Sequence, residues 1–381
     1  MAKTRRLLFL VNEALFFTTH RMPIGLAMQQ RGIDVHVAAP YDATFVKVIE
    51  ANGFHYHPIP LERGGTSLFG EIRLVAAIAA LLMRLKPDLV HNVAMKPVIW
   101  GGTICRLLGL PAVNAITGLG YLYIREDWKV RALRSYLNTL FRYALHNLQS
   151  CTIFQNADDL GIFRERRLAD VERMALIKGC GVDLKQFAEC PEPPGEPVVM
   201  FPARILGDKG AREFVEAARL LREKGTTARF VMVGRTDPKN PTDIGEKAIA
   251  EWVRRGWVEW WGYSTDMPAT LAKSTIVCMP SYREGLPRGL IEAAAVGRAI
   301  VTADVPGCHE VVHHEVNGLL VPVRDGAATA AAIGRLLDDP TLRRTLARRG
   351  REMAEREYSV EKFVADTLTV YRVARPDLVA A

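Results

Sequence analysis

Pro191-Glu192-Pro193-Pro194-Gly195-Glu196-Pro197-Val198-Val199-Met200-Phe201-Pro202-Ala203-Arg204 is the stretch that decides how this 381-residue chain is divided. Its first seven residues hold four prolines and a glycine, which leaves little capacity for a helix or a hydrogen-bonded ladder. Val198–Pro202 then opens a new buried strand. The reading places a domain boundary here, with a first domain over 1–190 and a second over 191–358. Upstream, apolar runs at Leu7–Val11, Asp34–Ala39, Leu89–Val93, Ala112–Thr117 and Thr152–Gln155 alternate with segments of helical period such as Pro23–Arg31, Ile72–Leu85 and Pro97–Leu108. Downstream, Arg229–Val233, Val258–Trp261, Thr275–Met279, Ala299–Thr302 and Leu319–Val321 continue the same alternation. Short strands that are apolar on both faces, separated by helices, predict parallel sheets covered on both sides. The fold class is therefore α/β, two Rossmann-like doubly wound domains, with ligands expected in the cleft they face.

Composition narrows the field. A 49% hydrophobic and 24% charged chain buries a core and is not disordered. The best apolar stretch, Leu74–Leu85, spans 12 residues and includes Arg84, short of the roughly 18 a spanning helix needs. Leu7–Val11 behind Lys3, Arg5 and Arg6 is too short for a signal-peptide core, so a cytoplasmic location is expected. Six singly scattered cysteines and nine histidines without metal spacing argue against a zinc site or a disulfide framework; His313-His314-Glu315 reads as a solvated loop. Residues 1–190 carry 23 Lys and Arg against 16 Asp and Glu, a surplus of seven that leaves only one for the rest of the chain. The first half is thus expected to meet something anionic.

The segment after the first strand, Asn12-Glu13-Ala14-Leu15, lacks the glycines of a dinucleotide fingerprint, and no P-loop is present. The second half offers different chemistry. Strand Val198–Pro202 ends in Ala203-Arg204, and Asp208-Lys209-Gly210 opens the next helix; two cations so placed can converge on a diphosphate. In Tyr282-Arg283-Glu284-Gly285-Leu286-Pro287-Arg288-Gly289-Leu290-Ile291-Glu292-Ala293, Pro287 suits a first helical position. That puts Glu284 in the loop before a helix and Glu292 in its second turn. Gly285 permits close approach of backbone, and the helix start supplies N–H donors. The plain alternative is a capping Glu284 and a surface Glu292.

Glu284 and Glu292 in this setting resemble the paired glutamates, eight residues apart, of family 4 glycosyltransferases, retaining enzymes of the GT-B fold. Arg204–Gly210, Val233–Arg235, Trp261–Met267, Pro280–Gly285, Asp304–Glu310 and Asn317–Pro322 match further family motifs in order. Tyr358–Phe363 resembles the start of the helix that returns to the first domain, here assigned to 359–381. The first half, through Phe17, His20-Arg21, Lys96-Pro97 with Gly101, and Thr117–Tyr121, resembles the branch that extends sugars on undecaprenyl diphosphate.

The resemblance implies transfer of a sugar from a UDP-sugar to a polyprenyl-diphosphate-linked saccharide, with retention and without a metal or other cofactor. Arg204, Lys209 and Glu284 become the catalytic candidates, and Gly234, Arg235, Gly285, Leu286, Pro287 and Glu292 the donor-binding ones. His20, Arg21, His91, Lys96, Thr117 and Gly118 are acceptor-side candidates. Thr117-Gly118 stands where many relatives carry a histidine, so no base is named, and His91 reads equally as a core residue. Two rival readings stay open, a non-catalytic nucleotide-sugar binder and a nucleotide-sugar epimerase; no nucleic-acid recognition motif is present. Residues 125–146 combine Arg125, Lys129, Arg131, Arg134 and Arg142 with Trp128 and an apolar stripe of Leu133, Leu137, Leu140, Phe141 and Ala144. Together with Gly118–Tyr123 they predict peripheral attachment to the anionic inner face of the cell membrane.

Overall fold

The computed structural model describes residues 4–62, 67–119 and 128–379. They form two compact units, Met1–Gly181 with Val360–Ala381, and Val182–Ser359. The division falls at Gly181, ahead of the proline cluster. Leu184 and Phe187 already pack into the core of the second unit, and the buried Arg298 guanidinium binds the carbonyls of Cys190 at 2.8 Å and Pro191 at 3.0 Å. Glu192 pairs with buried Arg343 at 2.9 Å. The proline-rich segment is thus strapped onto unit 2 by charge-assisted hydrogen bonds.

Unit 1 holds a parallel sheet of β1 (Arg6–Val11), β2 (Asp34–Ala39), β3 (His55–Pro58), β4 (Leu89–Val93), β5 (Ala112–Ile116), β6 (Ser150–Phe154) and β7 (Met174–Leu176), in spatial order 3-2-1-4-5-6-7. Strand β1 is buried on both faces because alternate residues meet different helices. Phe9 and Val11 share one cluster with Phe363, Leu368 and Tyr371; Leu8 and Leu10 share another with Leu74, Ile78 and Leu82. Helix Val360–Ala374 thereby belongs to unit 1, as the resemblance implied. Edge strands β3 and β7 escaped the sequence reading since neither is a buried apolar run.

In unit 2, β8 (Val198–Pro202), β9 (Arg229–Val233), β10 (Glu259–Gly262), β11 (Ile276–Met279), β12 (Ala299–Ala303) and β13 (Leu319–Val321) form a parallel sheet in order 10-9-8-11-12-13. Each strand lies within a residue or so of its expected position. Apolar helix faces, such as Phe214, Ala217, Ala218 and Leu221 of Ala211–Glu223, close over it. Full burial of a Phe or Leu contributes about 1.5–3 kcal/mol, and these side chains supply the cohesion of the unit.

Candidate active site

The chain leaves β8 toward β9 on one side and later lays β11 on the other, so the segments following β8 and β11 part at the carboxyl edge of the sheet. Such a switch point is where open α/β sheets bind ligands. Arg204 and Lys209 follow β8, and Glu284 follows β11. The two loops are stitched together: Tyr282 N donates to Asp208 O at 2.9 Å. Gly210 sits at φ +79°, and a Cβ there would lie 2.2 Å from the Pro280 carbonyl oxygen. Only glycine meets both demands. The stitching brings the Lys209 ammonium onto the Glu284 carboxylate as an ion pair, both side chains partly buried. Arg204 pairs with Asp237 at 2.6 Å, a residue from the loop after β9. A Cβ on Gly234 would lie 1.9 Å from Ala203 O, which explains the glycine there.

Glu284 is fixed from behind. Its N–H donates to Pro306 O at 3.1 Å, and Gly307, at φ +83°, fits directly against its carbonyl. Helix Arg288–Ala295 starts one residue later than predicted, with Pro287 as its N-cap and no side chain capping the first turn. Glu292 lies in the second turn as expected, and it is no surface residue: it is 7% exposed and accepts from Arg288 Nε at 2.6 Å. Burial raises its pKa and Arg288 opposes the rise. The geometry brings Arg204, Lys209, Glu284 and Gly285–Pro287 together at one sheet edge. Arg235 is exposed, its guanidinium 5.5 Å from the Tyr263 ring centroid. Asp237 and the Tyr282–Glu213 hydrogen bond of 2.6 Å, with Arg324 over the Tyr282 ring, were not found from sequence. A lone acidic residue beyond a strand, or one on a helix face, gives no spacing signal.

Unit 1 has its own switch point, between β1 and β4. His20 ends helix Ala14–His20 after β1, stacked on Phe16 at 4.1 Å, and Lys96 follows β4. Thr117 and Gly118 follow β5, half-buried. Two candidates are corrected. Arg21 is 2% exposed in the core, between the rings of Phe16 and Phe363, and burial lowers its pKa. His91 is 1% exposed; its side chain points from β4 into the layer beneath helix Val360–Ala374, where Nδ1 meets Tyr371 Oη at 2.6 Å. Desolvation holds its pKa well below the usual value, so it stays neutral. Both belong to the core because alternation along β4 and the turn after helix Ala14–His20 aim them inward.

The basic helix is Trp128–Leu145. The expected apolar stripe faces largely inward: Phe141 and Ala144 are buried, Leu137 and Leu140 half-buried. Trp128, Leu133, Tyr136 and Tyr143 are exposed instead, alongside Lys129, Arg131 and Arg142, while Arg134 is buried. Arg125 and Gly120–Tyr123 lie outside the described residues. Among the described residues no helix is long and apolar enough to cross a membrane.

A family model described as "Glycosyl transferase 4-like" matches residues 6–156, and one described as "Glycosyl transferases group 1" matches 196–339. Over 90% of this chain and 92% of the relative, the sequence is 29% identical to the N,N'-diacetylbacillosaminyl-diphospho-undecaprenol alpha-1,3-N-acetylgalactosaminyltransferase of Campylobacter jejuni. It is 24% identical to the UDP-Gal:alpha-D-GlcNAc-diphosphoundecaprenol alpha-1,3-galactosyltransferase of Escherichia coli, over 72% of this chain and 73% of that one. The fold is shared with the crystal structure of Anabaena HepE in complex with UDP, at a TM-score of 0.74 and 18% identity, covering 96% and 99% of the two chains. With one model on each unit, the chain belongs to the group 1, family 4-like glycosyltransferases, hexosyl-transferring enzymes of the GT-B fold.

Proposed function

We propose that this chain moves a hexose or N-acetylhexosamine from a UDP-sugar to a polyprenyl-diphosphate-linked saccharide, with retention and without a metal, during assembly of a surface glycan. The observation that carries the reading is the Lys209–Glu284 ion pair at the β8/β11 switch point, with Arg204, paired to Asp237, following the same strand β8, and a helix start that has no side-chain cap following Glu284. The two relatives, matched over 92% and 73% of their lengths and acting on undecaprenyl-diphosphate-linked sugars by name, support the acceptor class. As the bond from the anomeric carbon to the diphosphate breaks, negative charge grows on the leaving group. Lys209, held in place by Glu284, and Arg204, held by Asp237, offer cationic charge already oriented for it. Glu284 takes a hydroxyl of the donor sugar, and Glu292, set back in the helix, takes the ribose. Arg235, Gly234 and Gly285–Pro287 complete the donor side; His20, Lys96, Thr117 and Gly118 serve the acceptor. The exposed Trp128, Tyr136 and Tyr143 beside Lys129 and Arg131 support attachment to the anionic inner face of the membrane.

Incubation of the full chain with UDP-sugars and undecaprenyl-diphosphate monosaccharides tests the reading, with UDP release and acceptor mass recorded. Acceptor-dependent UDP and a product heavier by one sugar are expected. UDP released equally without acceptor points to an epimerase, and binding without turnover to a nucleotide-sugar binder.

A further inference from the structure

Helix Leu68–Leu85 is apolar on two sides. Its inner stripe, Leu74, Ile78, Leu81 and Leu82, packs against β1 with Leu8 and Leu10. Its outer stripe, Phe69, Ile72, Ala76, Ala80 and Met83, recurs at helical spacing and is exposed, and Leu68 and Phe69 reach 76% and 77%. A helix apolar all round belongs under cover, and this one has cover on one side only. Helix Gly102–Leu108 packs beside it through Ile104 and Cys105 and leaves Leu107 and Leu108 exposed. Helix Trp128–Leu145 continues the same layer: Arg106 lies 4.4 Å from the Tyr143 ring centroid and donates to the Tyr143 carbonyl at 2.5 Å. Among the described residues, half of the large exposed apolar side chains belong to these three helices of 18, 7 and 18 residues. Their charge is as lopsided. They carry seven Arg and Lys against one acid, Glu71, which is bound to Lys96. All of the seven but Arg134 are exposed. Arg106 and Arg142 donate to backbone carbonyls, which leave their charge standing. On the other face of the sheet, helices Ala14–His20, Met22–Gln29, Ala43–Ala51 and Val360–Ala374 balance three cations against three acids, and of large apolar side chains they expose Val48 and Val373 alone among the described residues. Helix Ala157–Glu165, beyond Trp128–Leu145, has three acids and none of these exposed side chains, so the surface ends there.

We propose that the outer surface of these three helices is the face that lies on an anionic lipid bilayer, with the start of helix Leu68–Leu85 as the part that enters it. This rests on the reading of the chain as a membrane-attached transferase. Single apolar side chains on a surface need no partner, but a continuous apolar stripe flanked by Arg73 and Arg84 does. A bilayer supplies both halves of what that stripe asks for, acyl chains for Phe69 and Ile72 and anionic headgroups for the arginines. A second copy of the chain supplies only one, because a symmetric dimer through this face sets two cationic surfaces against each other. Position argues the same way. In this parallel sheet a helix that follows a strand begins at the carboxyl edge, so Leu68, Phe69 and Trp128 stand at the edge that also carries Lys96, Thr117 and Gly118. Seating that edge among headgroups brings the acceptor candidates level with a lipid-linked diphosphate.

The test is flotation of the full chain with vesicles of phosphatidylglycerol and phosphatidylcholine, and with vesicles of phosphatidylcholine alone. Wild type should bind the anionic vesicles, and less so as salt rises. Phe69→Ser with Ile72→Ser should weaken that binding about tenfold or more, the loss of two inserted apolar side chains. Arg73→Gln with Arg84→Gln should weaken it by about tenfold on the anionic vesicles and leave the neutral ones unaffected. Val373→Ser, on the other face, should stay within about twofold of wild type. These residues are all exposed, so melting temperatures should match wild type; if the serine pair melts early, the arginine pair, which leaves the stripe intact, decides alone. Wild-type binding that persists unchanged in either pair overturns the proposal while the membrane reading stands. Wild type that floats with neither kind of vesicle overturns both. A wild-type dimer in sedimentation that Phe69→Ser with Ile72→Ser turns into a monomer assigns the stripe to a second copy, and overturns the proposal as well.

Discussion

At the scale of single residues, the candidate donor site is a set of charges each held by a neighbour. Lys209→Ala removes the cation nearest Glu284 and is expected to lower turnover on the true substrate pair by on the order of 10²–10³ with the fold intact; single-turnover kinetics check this. Glu292 makes a second prediction, with its sign fixed by burial. Its carboxyl group has a raised pKa in the folded state, so the native protein holds the proton more tightly than the unfolded chain does. Any stability it contributes is full below the unfolded glutamate pKa and is lost as pH rises through the folded one. Glu292→Gln should therefore match wild-type Tm in acid and exceed it increasingly toward neutral pH, while the donor KM rises. Thermal melts across pH read the first effect and donor titrations the second; a Gln variant less stable at neutral pH would contradict the argument. Gly210→Ala places a methyl group against Pro280 O at a left-handed φ, and should destabilise unit 2 and weaken donor binding together.

At the scale of elements, the edge of unit 1 carries a hydrogen-bonded chain along β2 and β3. His55 Nε2 meets Asp34 at 2.9 Å, Asp34 meets His36 Nε2 at 3.1 Å, and His36 Nδ1 meets His57 Nε2 at 3.0 Å. Burial lowers the pKa of His36, and burial with His36, Arg84 and His55 nearby takes His57 to about 4; Asp34 works the other way on both, and Arg6 lowers His36 further. The unfolded chain takes up protons near pH 6.5 that the native edge refuses. Stability is thus present above about pH 6.5 and lost as pH falls toward 4, by on the order of 1 kcal/mol once solvent screening of the half-exposed His57 is allowed for. His57→Asn should flatten that limb of the Tm profile. Helix Pro340–Glu357 carries Arg343, Arg344, Arg348, Arg349 and Arg351. Sequence leaves its arginines as either phosphate ligands or a solvated face. In the structure Arg343 pairs with Glu192, and Arg351 with Glu355 and the Phe187 carbonyl, so these two hold unit 2 together.

At the scale of the whole molecule, the chain crosses between units twice, and the second crossing is costly to lose. Helix Val360–Ala374 brings Phe363, Leu368 and Tyr371 to the face of the unit 1 sheet that also holds Phe9 and His91. A chain ending at Ser359 should lose the cooperative unfolding of unit 1, because that apolar face and the buried His91 would then meet water. The fragment Val182–Ser359 keeps its own core and should fold alone. Circular dichroism melts of the two truncations check both statements; a second cooperative transition in the chain ending at Ser359, beyond the one shown by Val182–Ser359, would contradict the first.

The sequence by itself determined the parallel α/β character, nearly every buried strand, and the assignment of Glu284 and Glu292 to a loop and a second helical turn; the return of the last helix was implied only by the family resemblance. Apolar runs and glycine or proline punctuation are local properties, and the forces they express act locally. Tertiary structure decided the rest. The proline cluster joined unit 2 because Arg298, more than a hundred residues later, collects its carbonyls. Arg21 and His91 became core groups because of a helix from the far end of the chain, and much of the apolar stripe of Trp128–Leu145 turned inward because the sheet beneath had to be covered. The pairings Lys209–Glu284, Arg204–Asp237 and Lys96–Glu71 join residues between 25 and 75 positions apart. Charge pairs at such separations leave no periodic trace in a sequence; only the order of strands in the sheets brings them within reach.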